Sequence, residues 1–283
     1  MHYFRAFAIL NIIAVHFLHE FGRGDIKDAW FQNSTVYFLL ISGYLCEYLN
    51  SDLQKFSAKR YYVKKLQNVI APYVFWSLVF LATLGALPIH FWYIPFISIV
   101  FLFSPVLLRL KNRALLIVTS IFAALFFIFP NRPMGLGSSF GEFLNLYAHF
   151  TVFYLLGMLY ARFKNLRLKW VYPFAALFAF LSAFYPIAVV GSLQKLAFSI
   201  LVLPLLALIP PRLKILDLIA KYSFALYFIH LAVLHALVYF LPPSLIASPW
   251  SLFLYIPYIA FTLALCVGMK KLFARHSRLF LGA

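Results

Sequence analysis

Arg5-Ala-Phe-Ala-Ile-Leu-Asn-Ile-Ile-Ala-Val-His16 forms most of the first apolar stretch of the chain. Eleven steps of an α-helix are almost three whole turns, so Arg5 and His16 share one helical face, with His16 roughly 16 Å further along the axis. An ionisable group is costly to place in a segment this apolar, so each of the two needs a reason to be there.

Similar stretches recur along the whole chain. It is 65% hydrophobic and 11% charged over 283 residues, a composition outside the range of soluble domains. Apolar runs near 20 residues, long enough to cross a bilayer as helices, lie at about 3–21, 35–50, 69–87, 92–108, 114–129, 144–161, 170–187, 194–210, 222–241 and 250–268. The fold class is therefore all-α: a polytopic integral membrane protein with about ten transmembrane helices. No soluble domain, repeat or low-complexity linker is left over, so residues 1–283 are read as a single transmembrane domain. The first stretch is expected to be a retained helix. No small-x-small cleavage site follows it, and His16, His19 and Glu20 interrupt its end.

Charge tests the count. With the N-terminus in the cytoplasm, ten spans put all of the 24 Lys+Arg except Arg23, Lys27, Arg132 and Lys195 on the cytoplasmic side. An odd number of spans would scramble that alternation, so both termini are expected to be cytoplasmic. The basic excess is a topology signal and implies no nucleic acid. The same topology makes the inner surface basic, while His16, His19, His90, His149 and His235 collect toward the outside and His230 lies nearer mid-membrane. That asymmetry suits a protein that uses an anionic reagent from inside and works outside.

Several residues can carry chemistry. His16 is a candidate general base, because an imidazole titrates near neutral pH. Glu20, four residues on, shares its face and can orient the ring. The competing reading is a histidine hydrogen-bonded to a neighbouring helix. Arg5 is either a snorkelling residue at a helix start or a fixed fork for phosphate oxygens. The cluster Lys55, Lys59, Arg60, Lys64 and Lys65 suits anionic lipid headgroups, the phosphates of a nucleotide-like co-substrate, or both. The two cysteines, Cys46 and Cys266, form no metal-ligand spacing. There is no Gly-rich phosphate loop, zinc-type His/Glu spacing or nucleophile elbow, and no metal is expected.

The order of motifs resembles a known family. Arg5 and His16 match the Arg-x10-His signature in the first helix of the membrane-embedded acyltransferase-3 family, the bacterial O-acyltransferases of envelope glycans and exopolysaccharides. Phe38-Leu-Leu-Ile-Ser42-Gly43-Tyr44-Leu45 is similar to that family's second-helix motif. Further matches are Ala71-Pro72-Tyr73-Val-Phe-Trp76, His90-Phe-Trp92-Tyr93-Ile-Pro95, Phe153-Tyr-Leu-Leu-Gly157-Met158, Tyr222-Ser223-Phe-Ala-Leu-Tyr227-Phe-Ile-His230 and Ser277-Arg-Leu-Phe-Leu-Gly282. Together they cover nearly the whole chain in order.

The resemblance implies transfer of an acyl group, usually acetyl, from cytoplasmic acyl-CoA to a sugar hydroxyl at the outer side, in the inner (plasma) membrane. The expected partners are acyl-CoA, a glycan or glycolipid acceptor and membrane lipids. Oligomeric state is left open. His16 is then the expected catalytic base or, alternatively, the bearer of an acyl-histidine. Arg5 is expected to orient the donor, and Arg60, Lys64 and Lys65 to hold its phosphates. The extended pantetheine arm is comparable in length to the three turns between Arg5 and His16. Glu20, Trp92 and His230 are candidate substrate-binding residues. Rival readings are a polysaccharide exporter or flippase, and a scaffold subunit of a glycan-synthesis complex.

Overall fold

Long unbroken runs of apolar residues satisfy their own backbone hydrogen bonds only as helices when no water is at hand, and helices are what the chain forms. A computed structural model describes residues 2–27, 31, 34–52, 54–85, 87, 89–128, 140–163, 175–177, 180, 194–201, 213–273 and 277. The long elements, in chain order, are α1 (His2–Glu20), α2 (Ser34–Leu49), α3 (Ala58–Lys65), α4 (Ala71–Leu84), α5 (Tyr93–Arg109), α6 (Asn112–Ile128), α7 (Phe140–Arg162), α8 (Lys214–Lys221), α9 (Ser223–Phe240) and α10 (Tyr255–Phe273). Among the described residues there is no strand. Helices occupy eight of the ten expected stretches, and of those at 170–187 and 194–210 the described residues, 175–177, 180 and 194–201, are helical as well.

Four helical runs are long and apolar enough to cross a membrane: Ala58–Thr83, Leu144–Arg162, Ser223–Phe240 and Pro249–Phe273. Helices α5 and α6 are apolar but shorter, at 17 residues each. Large apolar side chains point outward from these helices, among them Leu102, Phe103 and Val106 on α5 and Phe240 on α9. Outward apolar surface on this scale belongs to a lipid-facing wall. Between α3 and α4 the helix widens into a π-segment, Leu66–Ile70. Pro72 follows it at the start of α4 and has no N–H to give to the carbonyl of Asn68, so a regular α-ladder cannot continue through this point.

The helices fall into two compact units. The first comprises Met1–Ser34, Lys64–Leu87 and Ile209–Ala283. Within it α1 packs on α8 and α9, and α9 packs on α10. Ala6, Ala8, Ile9, Ile13 and Phe17 of α1 are buried. Two tyrosine hydroxyls of α10 pin the neighbours: Tyr255 donates to the carbonyl of Leu10 at 2.6 Å, and Tyr258 to the carbonyl of His230 at 2.7 Å.

The second unit comprises Thr35–Val63 and Pro88–Leu208, with α6 packed along α7. Its tightest feature is a reciprocal glycine contact between α2 and α7. A Cβ on Gly43 would overlap the backbone carbonyl of Tyr154, and a Cβ on Gly157 would overlap the carbonyl of Leu40 and the amide nitrogen of Tyr44. Each helix runs backbone to backbone against the other, as small residues permit inside membranes. The Ile-Ser-Gly-Tyr and Tyr-Leu-Leu-Gly sequences are thus two sides of one contact. Tyr154 also shares a 2.7 Å hydrogen bond with Ser104 of α5, whose hydroxyl lies 2.9 Å from the carbonyl of Val100.

Arg162, at the end of α7, is a structural residue as well as a basic one. Its Nε lies 2.9 Å from Oε1 of Glu47 on α2, and both side chains are largely buried. Its two terminal nitrogens donate to the carbonyls of Leu107, Leu108 and Leu110 at 3.2, 3.1 and 2.6 Å. These carbonyls lie at the end of α5, where the last turn of a helix has no partners of its own. One guanidinium therefore ties three helices.

Two outcomes are expected in thermal unfolding of the detergent-solubilised protein. Gly157→Ala should destabilise by about 1–3 kcal/mol, since the clash is with backbone that cannot rotate aside. Arg162→Met should cost about 3–5 kcal/mol by leaving Glu47 buried without its cation.

Candidate active site

Helix α1 carries the expected site residues on one continuous face. Arg5 lies in its first turns and is exposed, Ile9 and Ile12 in the middle are buried, and His16 and Glu20 at the far end are partly exposed. The helix is unbroken from His2 to Glu20, so the eleven-residue spacing places the guanidinium and the imidazole within about 20° of each other around the axis.

The structure adds a second imidazole. His230 of α9 is fully buried, and its ring centroid lies 5.3 Å from that of His16, with the planes tilted by 48°. The ring orientation of His230 is fixed locally. Nδ1 lies 2.9 Å from the carbonyl of Leu226, one turn back on the same helix. A carbonyl only accepts, so Nδ1 carries a proton and the neutral ring has its lone pair on Nε2. The backbone is held as well, because the His230 carbonyl accepts the Tyr258 hydroxyl. Behind His16, Phe17 is enclosed by Phe21, Tyr255 and Tyr258 at centroid distances of 4.3, 5.2 and 5.7 Å. On the other side of α9, Phe228 stacks on Trp76 of α4 at 6.3 Å. The imidazole pair therefore sits on aromatic packing from α4, α9 and α10, which limits how far either ring can wander.

At the outer edge of the same group, Oε1 of Glu20 lies 3.7 Å from Nε2 of His235. The pair is substantially exposed and long, so it contributes little to stability. His235 was not among the expected site residues. Its spacing of five from His230 places it toward another side of α9, and only the packing of α1 on α9 brings it to Glu20.

The remaining expected residues are on other elements. Arg60 and Lys64 share a face of α3 at i, i+4 spacing and are exposed, while Lys65 is partly buried. Trp92 closes the 3-10 turn Ile89–Trp92 ahead of α5. It belongs to the second unit, where its ring lies 5.4 Å from Phe150 and 6.1 Å from Phe96. Cys46 and Cys266 are both free and buried. Among the described residues, no group of three or more His, Cys, Asp or Glu is placed to hold a metal ion.

Chemically, a partly exposed imidazole backed by a second, immobilised one is suited to moving a proton, and an exposed guanidinium on the same face is suited to an oxyanion. The model of the acyltransferase-3 family, an acyltransferase domain, matches residues 1–271. The chain belongs to the acyltransferase-3 family. The match runs through both compact units and includes Arg5, His16, Gly43, Gly157 and His230. No curated protein and no solved structure matches the chain. As an acyltransferase-3 protein it is a membrane-helical member of a family of acyl-transferring enzymes.

His230→Phe, which keeps a ring in the buried site, is expected to leave the protein folded and to lower acyl transfer at least about tenfold. His235→Ala, at the exposed edge, should stay within about twofold of the parent. Transfer of labelled acyl groups by membranes with equal amounts of each variant checks both.

Proposed function

We propose that the protein is an acyl-CoA-dependent O-acyltransferase of the inner (plasma) membrane. It moves an acyl group, most simply acetyl, from cytoplasmic acyl-CoA to a hydroxyl of an envelope or extracellular glycan. Residues 1–283 act as one transmembrane acyltransferase domain of about ten spans with both termini in the cytoplasm. The alternation of basic residues along the sequence supports that topology.

The observation that carries the mechanism is the His16–His230 ring pair, with Arg5 on the same face of α1. In the proposed reaction His16 removes the proton from the acceptor hydroxyl. The oxygen forms a bond to the thioester carbonyl carbon, the carbon–sulfur bond breaks, and the coenzyme leaves as thiolate. His16 then returns the proton to that sulfur, so the products are an ester and coenzyme A. His230, anchored by Leu226 and Tyr258, positions His16 and limits its rotamers. Arg5 orients the donor, and Arg60, Lys64 and Lys65 supply cations for its phosphates. Glu20 lies on the His16 face, at the end of α1 farthest from Arg5, and Trp92 contributes to acceptor binding.

In membranes supplied with labelled acetyl-CoA, His16→Ala is expected to lower ester formation on glycan by about a hundredfold or more, at unchanged protein level. Arg5→Ala should chiefly raise the KM for the donor. Undiminished transfer by a well-expressed His16→Ala variant would remove His16 from the mechanism. An exporter or a scaffold subunit would consume no acetyl-CoA in this assay and would leave glycan acylation unchanged when deleted.

A further inference from the structure

Lys195, in the helical residues 194–201 of the second unit, is only 6% exposed. Its Nζ lies 3.5 Å from Nε2 of His149 on α7, itself 1% exposed, and 5.9 Å from the centroid of the Phe150 ring. A lysine buried this deeply normally meets a carboxylate. This chain has seven acidic residues in all, and none lies between 143 and 216. Within the second unit Glu47 is held by Arg162 and Asp52 pairs with Lys55 at 3.1 Å, while Glu142 is exposed at the start of α7. Among the described residues, Lys195 forms no ion pair with a carboxylate. An ionisable side chain kept inside an apolar helical protein at this cost is a site before it is a scaffold.

The chemistry of the pair selects a ligand class. An ammonium group only donates, so Nε2 of His149 accepts and the ring proton is on Nδ1. Lys195 has two further N–H bonds to give and a charge to neutralise, which suits an oxyanion. The neighbours are aromatic. His149 lies against Phe126 at 4.4 Å, and Phe150 lies against Trp92 at 5.4 Å. These rings are packed on one another and give the ammonium group an apolar wall on one side. Trp92, His149, Phe150 and Lys195 thus form one contiguous group inside the second unit.

We propose that Lys195, held by His149, is the anion-recognition point for an acidic glycan acceptor, one that carries a carboxylate or a phosphate on the sugar. The inference rests on the acyltransferase reading and narrows its acceptor to charged sugars. His149 is a positioning residue here: it fixes the ammonium group, and Phe150 and Trp92 supply the wall.

The test uses the full chain in lipid nanodiscs and three matched disaccharide probes, one containing glucuronate, one containing a sugar phosphate, and one neutral. Binding is followed by thermophoresis, with no acyl donor present. The protein is expected to bind at least one charged probe about tenfold or more tightly than the neutral one, and the stronger of the two identifies the anion. Lys195→Met should abolish the preference and Lys195→Arg should retain most of it. Equal binding of charged and neutral probes by the unaltered protein overturns the inference, and this measurement does not depend on any variant folding. A preference that survives in Lys195→Met overturns it as well. Acetyl-CoA consumption measured in parallel separates the two ideas. Transfer without charge preference sinks this inference alone, whereas charge preference in a protein that consumes no donor sinks the transferase reading alone.

Discussion

Scarcity of acid is the constraint that shapes this protein. Seven carboxylates face 24 lysines and arginines in a chain that is 65% hydrophobic, so few cations that turn inward can be neutralised by a partner of opposite charge. The structure meets the shortage with other acceptors. Arg162 divides its N–H groups between one buried glutamate and the carbonyls at the end of α5. Lys195 uses an imidazole and a phenyl ring. Lys270, half-buried, lies over the ring of Tyr222. These are weaker partners than carboxylates, and they leave a residual positive potential inside the protein. For an enzyme whose proposed donor is a polyanionic thioester, that residue of charge is an asset.

Much of the fold was legible because helix in this setting follows from run length alone. Eight of the ten apolar stretches are seen as helices, and the described residues of the other two are helical as well. The partnerships between helices were less legible. Gly43 and Gly157 were visible as letters in two motifs, but nothing in either motif says that each fits against the other's helix. His16 and His230 are 214 positions apart in the chain, and no local pattern brings their rings together. Counting basic residues treated every cation as a solvated marker of topology. That treatment cannot distinguish Arg60, which is exposed, from Arg162 and Lys195, which fold inward. The motif around Trp92 likewise gives no sign that its ring packs on Phe96 and Phe150.

The two imidazoles illustrate how a motif gains chemical meaning from its surroundings. His230 is held at both ends, its ring by Leu226 and its carbonyl by Tyr258. His16 is supported instead by the aromatic packing around Phe17, one residue on. One ring is thus immobile and the other is restrained but reachable. The base of the proposed reaction would benefit from that division, because preorganisation lowers the cost of reaching the reactive geometry.

The touching backbones of α2 and α7 leave no slack for sliding or rolling, since either motion would drive a carbonyl oxygen into a neighbouring Cα. This pair is a keel. Any rearrangement within the second unit has to carry α2 and α7 together as one body.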